Sequence, residues 1–171
     1  AEILWRKPPL SGLPEVRCGA DELTETLQIT MGDPLSGLEV VLRYTPLPAY
    51  DAVLRSTLFR NGGTAPLILE RAMSCSLDLP WDGRQLLCLP GSWARERHPQ
   101  RGPLSRGTYS FGSTRGISSH QFNPFFALLS PETGERQGEA RGFALVYSGS
   151  FLAEAQRDQE DSLRLNLGIH P

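Results

Sequence analysis

ETLQITMGDPLSGLEVVLRY, residues 25–44, decides the fold class. Leu27, Ile29 and Met31 alternate with polar residues, and Leu38, Val40 and Leu42 alternate again after the break. A period of two is the signature of a strand with one apolar face. The break DPLSG supplies Asp, Pro, Ser and Gly, the residues of a tight turn. The stretch is therefore expected to be two antiparallel strands and their connection. Nothing in it has the sustained three-to-four spacing or the caps of a helix.

The same pattern extends in both directions. AVLRSTLFR (52–60) is a further strand, and NGGTAP (61–66) after it carries a hairpin signal, since Asn-Gly reaches positive φ cheaply. PLILERAMSCSLDL (66–79) is long enough to bend or to continue into a second sheet. Together these predict an antiparallel meander over the first part of the chain. QLLCLPGSW, GTYSFGS, FFALLS, GFALVYS, SFLAEAQ and SLRLNLGI repeat the style further on. YSGSF (147–151) reads as a tight turn, so 144–147 and 151–155 are expected to pair as a hairpin. With 17 Gly and 14 Pro to serve the turns, the expectation is an all-β fold, a large antiparallel two-sheet β-sandwich formed as one domain over residues 1–171.

Composition bounds the rest. At 171 residues a chain buries roughly 70% of its unfolded surface, so a core needs no disulfide or metal to hold it. Apolar residues make up 39% and charged residues 21%, an ordinary globular balance. A net charge of −2 supplies no field for nucleic acid or for an anionic membrane. No apolar run approaches a membrane span, and AEILWRKPPL at the start lacks a signal peptide's apolar core. The cysteines, Cys18, Cys75 and Cys88, are odd in number and form no CxxC, which argues against a disulfide framework or a zinc site and fits reduced thiols in the cytoplasm.

Catalytic patterns are missing. A glycosidase needs two carboxylates flanking the scissile bond, and no pair is recognisable. Glu139 and Glu154 lie beside apolar strands, Asp78 is placed to cap a turn, and Asp158 and Asp161 belong to the polar turn RDQEDS. His98, His120 and His170 are far apart without partners at metal-ligand spacing. There is no GxSxG elbow, no GxGxxG and no Walker loop. The expectation is no catalytic residue, no metal and no cofactor.

What remains is recognition chemistry. GSWARERH (91–98) and SSHQFNPFFA (118–127), together with GFALVYSGSFLAE (142–154), mix residue types that ordinary strands avoid. Trp93, Phe122, Phe125 and Phe126 offer flat apolar faces, while Arg95, Arg97, His98, His120, Gln121 and Asn123 offer polar groups beside them. Pro124 keeps Asn123 out of the helical region. Sugars want that pairing, and so do protein interfaces, where Trp and Arg are enriched. In the alternative, Phe125 and Phe126 begin a core strand and 120–123 only shape a turn.

SGLP (11–14), GADE (19–22), ETLQITM, DPLSGLEVVLRYT, GSWARERH, RGISSHQFNPFFAL (115–128), GEARGFALVYSGSFLAE (138–154) and LRLNLGIHP (163–171) together resemble the amino-terminal domain of bacterial α-galactosidases of glycoside hydrolase family 36. The likeness covers nearly the whole chain in order. It implies a galactose-mutarotase-like β-supersandwich followed, in the whole enzyme, by a catalytic (β/α)8 barrel and a small β-domain. It implies catalytic aspartates on that barrel, so none is carried onto this chain, and a chain that is an excised, slightly truncated piece of the enzyme. It further implies release of terminal α-galactose from melibiose and raffinose with retention, and homotetramers whose interfaces the N-terminal domains help build. Arg141 and His170 depart from the family pattern. Two other readings stand beside this one. One is an independent carbohydrate-binding module. The other is a mutarotase-like aldose epimerase using His98, His120 and Glu139.

Overall fold

A computed structural model describes residues 1–4 and 24–170. Cys18 and the SGLP and GADE stretches lie outside the described residues. Among those described there are twelve β-strands and one 3-10 turn, Pro48–Tyr50. No helix among them is long and apolar enough to cross a membrane. The chain divides into two compact units, Ala1–Ser74 and Cys75–Pro171.

The first unit is one antiparallel sheet in the order β1 (Glu2–Leu4), β2 (Thr26–Gly32), β3 (Leu38–Leu47), β4 (Ala52–Asn61). The expected β2–β3 pair is present, with Ile29 opposite Leu42 and Met31 opposite Val40. Its turn closes as the residue types require: the Asp33 carboxylate accepts the N–H of Leu35 at 3.0 Å and that of Ser36 at 3.3 Å, and Gly37 takes φ +75°. On the opposite face of the sheet, Thr26 and Thr45 are buried and joined hydroxyl to hydroxyl at 2.7 Å.

NGGTAP does not form the expected hairpin. The Asn61 side chain accepts the Gly63 N–H at 3.0 Å and donates to the Ala65 carbonyl at 2.8 Å, and Gly62 N–H reaches the Gly37 carbonyl at 2.9 Å. These bonds close the segment on the β2–β3 turn. The next strand, β5 (Ala72–Pro80), pairs in a different sheet. Asp78 lies inside β5 and caps no turn; Arg164 holds it through two bonds of 2.7 and 2.8 Å.

The second unit contains two four-stranded sheets. One has the order β10 (Ala140–Ala144), β9 (Phe122–Leu129), β6 (Gln85–Pro90), β7 (Gln100–Pro103), and the other β5, β12 (Ser162–Ile169), β11 (Phe151–Arg157), β8 (Gly107–Ser113). Alternate residues of facing strands enclose one core: Leu86, Cys88, Phe126 and Leu128 from the first sheet, Phe111, Phe151, Ala153, Ala155, Leu163, Leu165 and Leu167 from the second. This is the sandwich expected from period-two patterning. Phe111 sits at its centre, 5.2 Å from the Phe122 ring and 6.3 Å edge-on from both Phe126 and Phe151. Phe126 stacks on Phe143 at 4.8 Å.

The expected hairpin across YSGSF is also absent. β10 pairs with β9, and β11 pairs with β12 and β8, so residues 145–150 pass from one sheet to the other. Within this passage the Tyr147 ring packs against the bare backbone of Gly149, where a Cβ would lie 2.4 Å from it. The turn residues were real, and the strands they join belong to different sheets.

Candidate functional site

The three segments singled out in the sequence converge in the second unit. β6 ends at Pro90, and Gly91 N–H then donates to the Gln121 carbonyl at 2.9 Å. A Cβ on Gly91 would stand 2.9 Å from the His120 carbonyl and 2.7 Å from Glu96 Cα, so only glycine lets the two loops approach this closely. Residues 115–121 in turn lean on the sheet-crossing segment: Ser118 N–H donates to Ser148 O at 2.8 Å, and Gly116 N–H to Ser150 Oγ at 2.9 Å.

Beyond Gly91 the chain makes a tight reversal. Ser92 and Arg95 exchange backbone bonds of 3.1 and 3.0 Å, leaving Trp93 and Ala94 at the tip. Ala94 takes φ +59° and Arg97 φ +56°, and Ser119 in the neighbouring loop takes φ +70°. Non-glycine residues in that region cost on the order of 1 kcal/mol or more each and persist where the surroundings fix them. Here Glu96 Oε1 accepts the Ala94 N–H at 3.1 Å, His98 N–H donates to the Pro90 carbonyl at 2.7 Å, and Gln121 N–H donates to Ser119 Oγ at 3.0 Å. Glu96 is the group that props the turn.

This scaffold presents Trp93 with 84% of its surface exposed. Arg95, Arg97, His98, His120 and Gln121 are exposed as well, while Asn123 and Phe125 are half-buried on β9. Phe126 is 1% exposed and Phe122 packs on the core, so the expectation that these two offer free faces is corrected. Along β9 the faces alternate, and Phe122, Phe126 and Leu128 look inward. The Phe125 ring lies over Gly142 of the neighbouring strand.

Asp78, Asp82, Glu139 and Asp161 of this unit serve ion pairs. Glu139 accepts from Arg84 at 3.0 Å and from Arg141 at 2.8 Å; these bonds, Arg84's the larger effect, hold its carboxyl below the usual range. Arg141 thus has a local partner. Arg157 lowers Asp161 and Arg164 lowers Asp78 in the same way. A general acid needs the opposite shift. Glu154 is reached by Asn166 at 3.4 Å. Cys88 is a buried free thiol, and Cys75 is half-buried. Among the described residues no three His, Cys, Asp or Glu side chains group as a metal site.

The family profile described as the glycosyl hydrolase family 36 N-terminal domain matches residues 1–171. The chain belongs to this family. Among its relatives, α-galactosidase AgaA of Geobacillus stearothermophilus is 46% identical over 165 residues, 96% of this chain and 23% of that protein. A probable α-galactosidase G of Aspergillus terreus is 42% identical over 169 residues, 99% of this chain and 23% of that protein. The crystal structure of AgaA superposes with a TM-score of 0.94 at 45% identity, covering 98% of this chain and 23% of that one. An α-galactosidase from Lactobacillus brevis gives 0.93 at 40% identity over the same shares. Variants of AgaA have been crystallised with stachyose and with raffinose. This family 36 N-terminal domain chain therefore spans under a quarter of the length of such relatives.

Proposed function

We propose that the chain is the non-catalytic N-terminal β-sandwich domain of a cytoplasmic α-galactosidase. The whole enzyme would release terminal α-galactose, with retention, from saccharides such as melibiose and raffinose on a catalytic (β/α)8 barrel outside this chain. The domain's part is to dock that barrel and to support assembly of a homo-oligomer, a tetramer in the resemblance noted above. One observation carries the reading: 98% of the chain follows the AgaA backbone at a TM-score of 0.94 and 45% identity. The ion-paired carboxylates and the rigid, exposed Trp93 turn fit a scaffold with a docking surface. The free thiol of Cys88 fits a reducing compartment.

The experiment is a comparison of this chain with the full-length enzyme on an aryl α-galactoside. The full-length enzyme is expected to turn over and this chain alone to do nothing. Turnover by the chain that survives repurification, or a full-length enzyme inert on every α-galactoside, refutes the assignment. Sedimentation of the full-length enzyme tests the oligomer.

A further inference from the structure

The Trp93 turn combines three properties that point outward. Trp93 is 84% exposed on a turn held by four backbone or carboxylate bonds, so little freedom remains to be lost when it packs against something. The side chains of Arg95 and Arg97 make no hydrogen bond or ion pair among the described residues. By contrast Arg84, Arg106, Arg141, Arg157 and Arg164 of the same unit each hold a carboxylate. Glu96, the loop's own carboxylate, is turned to the Ala94 N–H.

The chemistry of the partner follows. Small-molecule sites are concave, and a tip residue this exposed supplies no wall of its own, so the partner must bring the cavity. Two unpaired guanidinium groups beside that tip call for carboxylates, which they bind through charge-assisted bonds. Size then favours a partner already held to this chain. A buried Trp covers about 150–250 Å², far short of the roughly 800 Å² per partner in a stable complex of separate proteins. A contact this small holds when a covalent tether sets an effective concentration of about the millimolar range. Most of the length of an enzyme such as AgaA lies outside the span this chain matches.

We propose that Trp93 seats in an apolar socket rimmed by carboxylates on the remaining part of the same, longer polypeptide, with Arg95 and Arg97 paired to the rim. This rests on reading the chain as one domain of an α-galactosidase, and it makes the turn an internal latch between domains.

Hydroxyl-radical footprinting of the full-length enzyme, read by mass spectrometry at Trp93, tests it. The wild-type Trp93 is expected to oxidise at least about tenfold more slowly than in an Arg95→Glu/Arg97→Glu variant, because like charges against the rim expel the turn. If that variant does not fold, Arg95→Gln/Arg97→Gln is expected to raise the rate in the same direction. Protection is expected to persist when the enzyme is diluted to single subunits. Equal rates in wild type and variant overturn the proposal. So does protection lost on dilution, which assigns the turn to a second copy, and so does protection that appears only with raffinose, which assigns it to sugar. Hydrolysis of an aryl α-galactoside by the same wild-type sample is the separate check on the functional reading.

Discussion

Replacing Phe126 by alanine removes the ring that ties the two sheets of the second unit together. Phe126 is 1% exposed, stacks on Phe143 at 4.8 Å and meets Phe111 edge-on at 6.3 Å. Truncating a buried Phe costs about 3–5 kcal/mol through lost transfer energy and the cavity left behind. Broken ring pairs add up to about 1 kcal/mol. For a unit of this size each kcal/mol lowers Tm by roughly 4–8 °C, so a fall of at least about 12 °C is expected. Phe126→Leu keeps most of the apolar contact and should cost about a third as much. Trp93→Ala is the contrasting case: an exposed tip residue away from any core contact should change stability by no more than about 0.5 kcal/mol. Calorimetry of the three variants beside the wild type gives the answer. If Phe126→Ala melts within a few degrees of the wild type, or if Trp93→Ala loses as much as Phe126→Ala, the division between core and displayed surface drawn here is wrong.

Gly91→Ala should push apart the two loops it joins, because the new Cβ would meet backbone atoms of Glu96, Arg95 and His120 at 2.7 to 2.9 Å; hydrogen exchange at the residue-91 amide should speed up, and unchanged protection counts against the close approach. Acid should destabilise the second unit through Glu139, Asp78 and Asp161, whose folded carboxyls are held below the ordinary carboxylate range by hydrogen bonds from Arg84, Arg164 and Arg157. A depressed folded pKa stabilises above the unfolded value and the benefit is lost as pH falls through the folded one, so Tm should decline below about pH 4.5 and less steeply in Glu139→Gln; identical slopes for variant and wild type would contradict the ion-pair geometry.

Period two was enough to read the strands and hence the sandwich of the second unit, where alternate residues are buried; in β2–β3 it marks the strands but not the buried face, since Leu27 and Met31 are exposed while Val41 and Leu47, on the other face, are buried. The β2–β3 turn was legible for the same local reason, since Asp33 and Gly37 satisfy it without help from elsewhere. Local chemistry failed at NGGTAP and YSGSF. Both carry turn residues, and both do turn, but turn residues do not say which sheet receives the next strand. β5 joins β12, and β11 joins β8 and β12, through pairings distant in sequence. At FNPFF the alternation is itself legible: period two carried through Phe122 to Leu128 puts Phe122, Phe126 and Leu128 on one face and Phe125 on the other, as the structure has them.

The displayed turn was harder to read because its strain is borne by residues that do not advertise it. Positive φ is usually signalled by Gly or Asn, and here it falls on Ala94, Arg97 and Ser119. Left alone, such residues relax into extended or helical conformations. They stay because Glu96, Pro90, Gln121 and Ser119 supply the hydrogen bonds that leave the backbone no alternative. The same bonds fix the backbone beneath Trp93, so the aromatic tip is held ready before any partner arrives. A loop whose only task was to link β6 to β7 would relieve that strain with a glycine at position 94, and Ala94→Gly should therefore be neutral for stability in this chain. In the full-length enzyme the same substitution should loosen the turn and raise the oxidation rate of Trp93. An enzyme that tolerates Ala94→Gly with Trp93 as protected as before does not depend on the rigidity of this turn, and the strain there would be incidental.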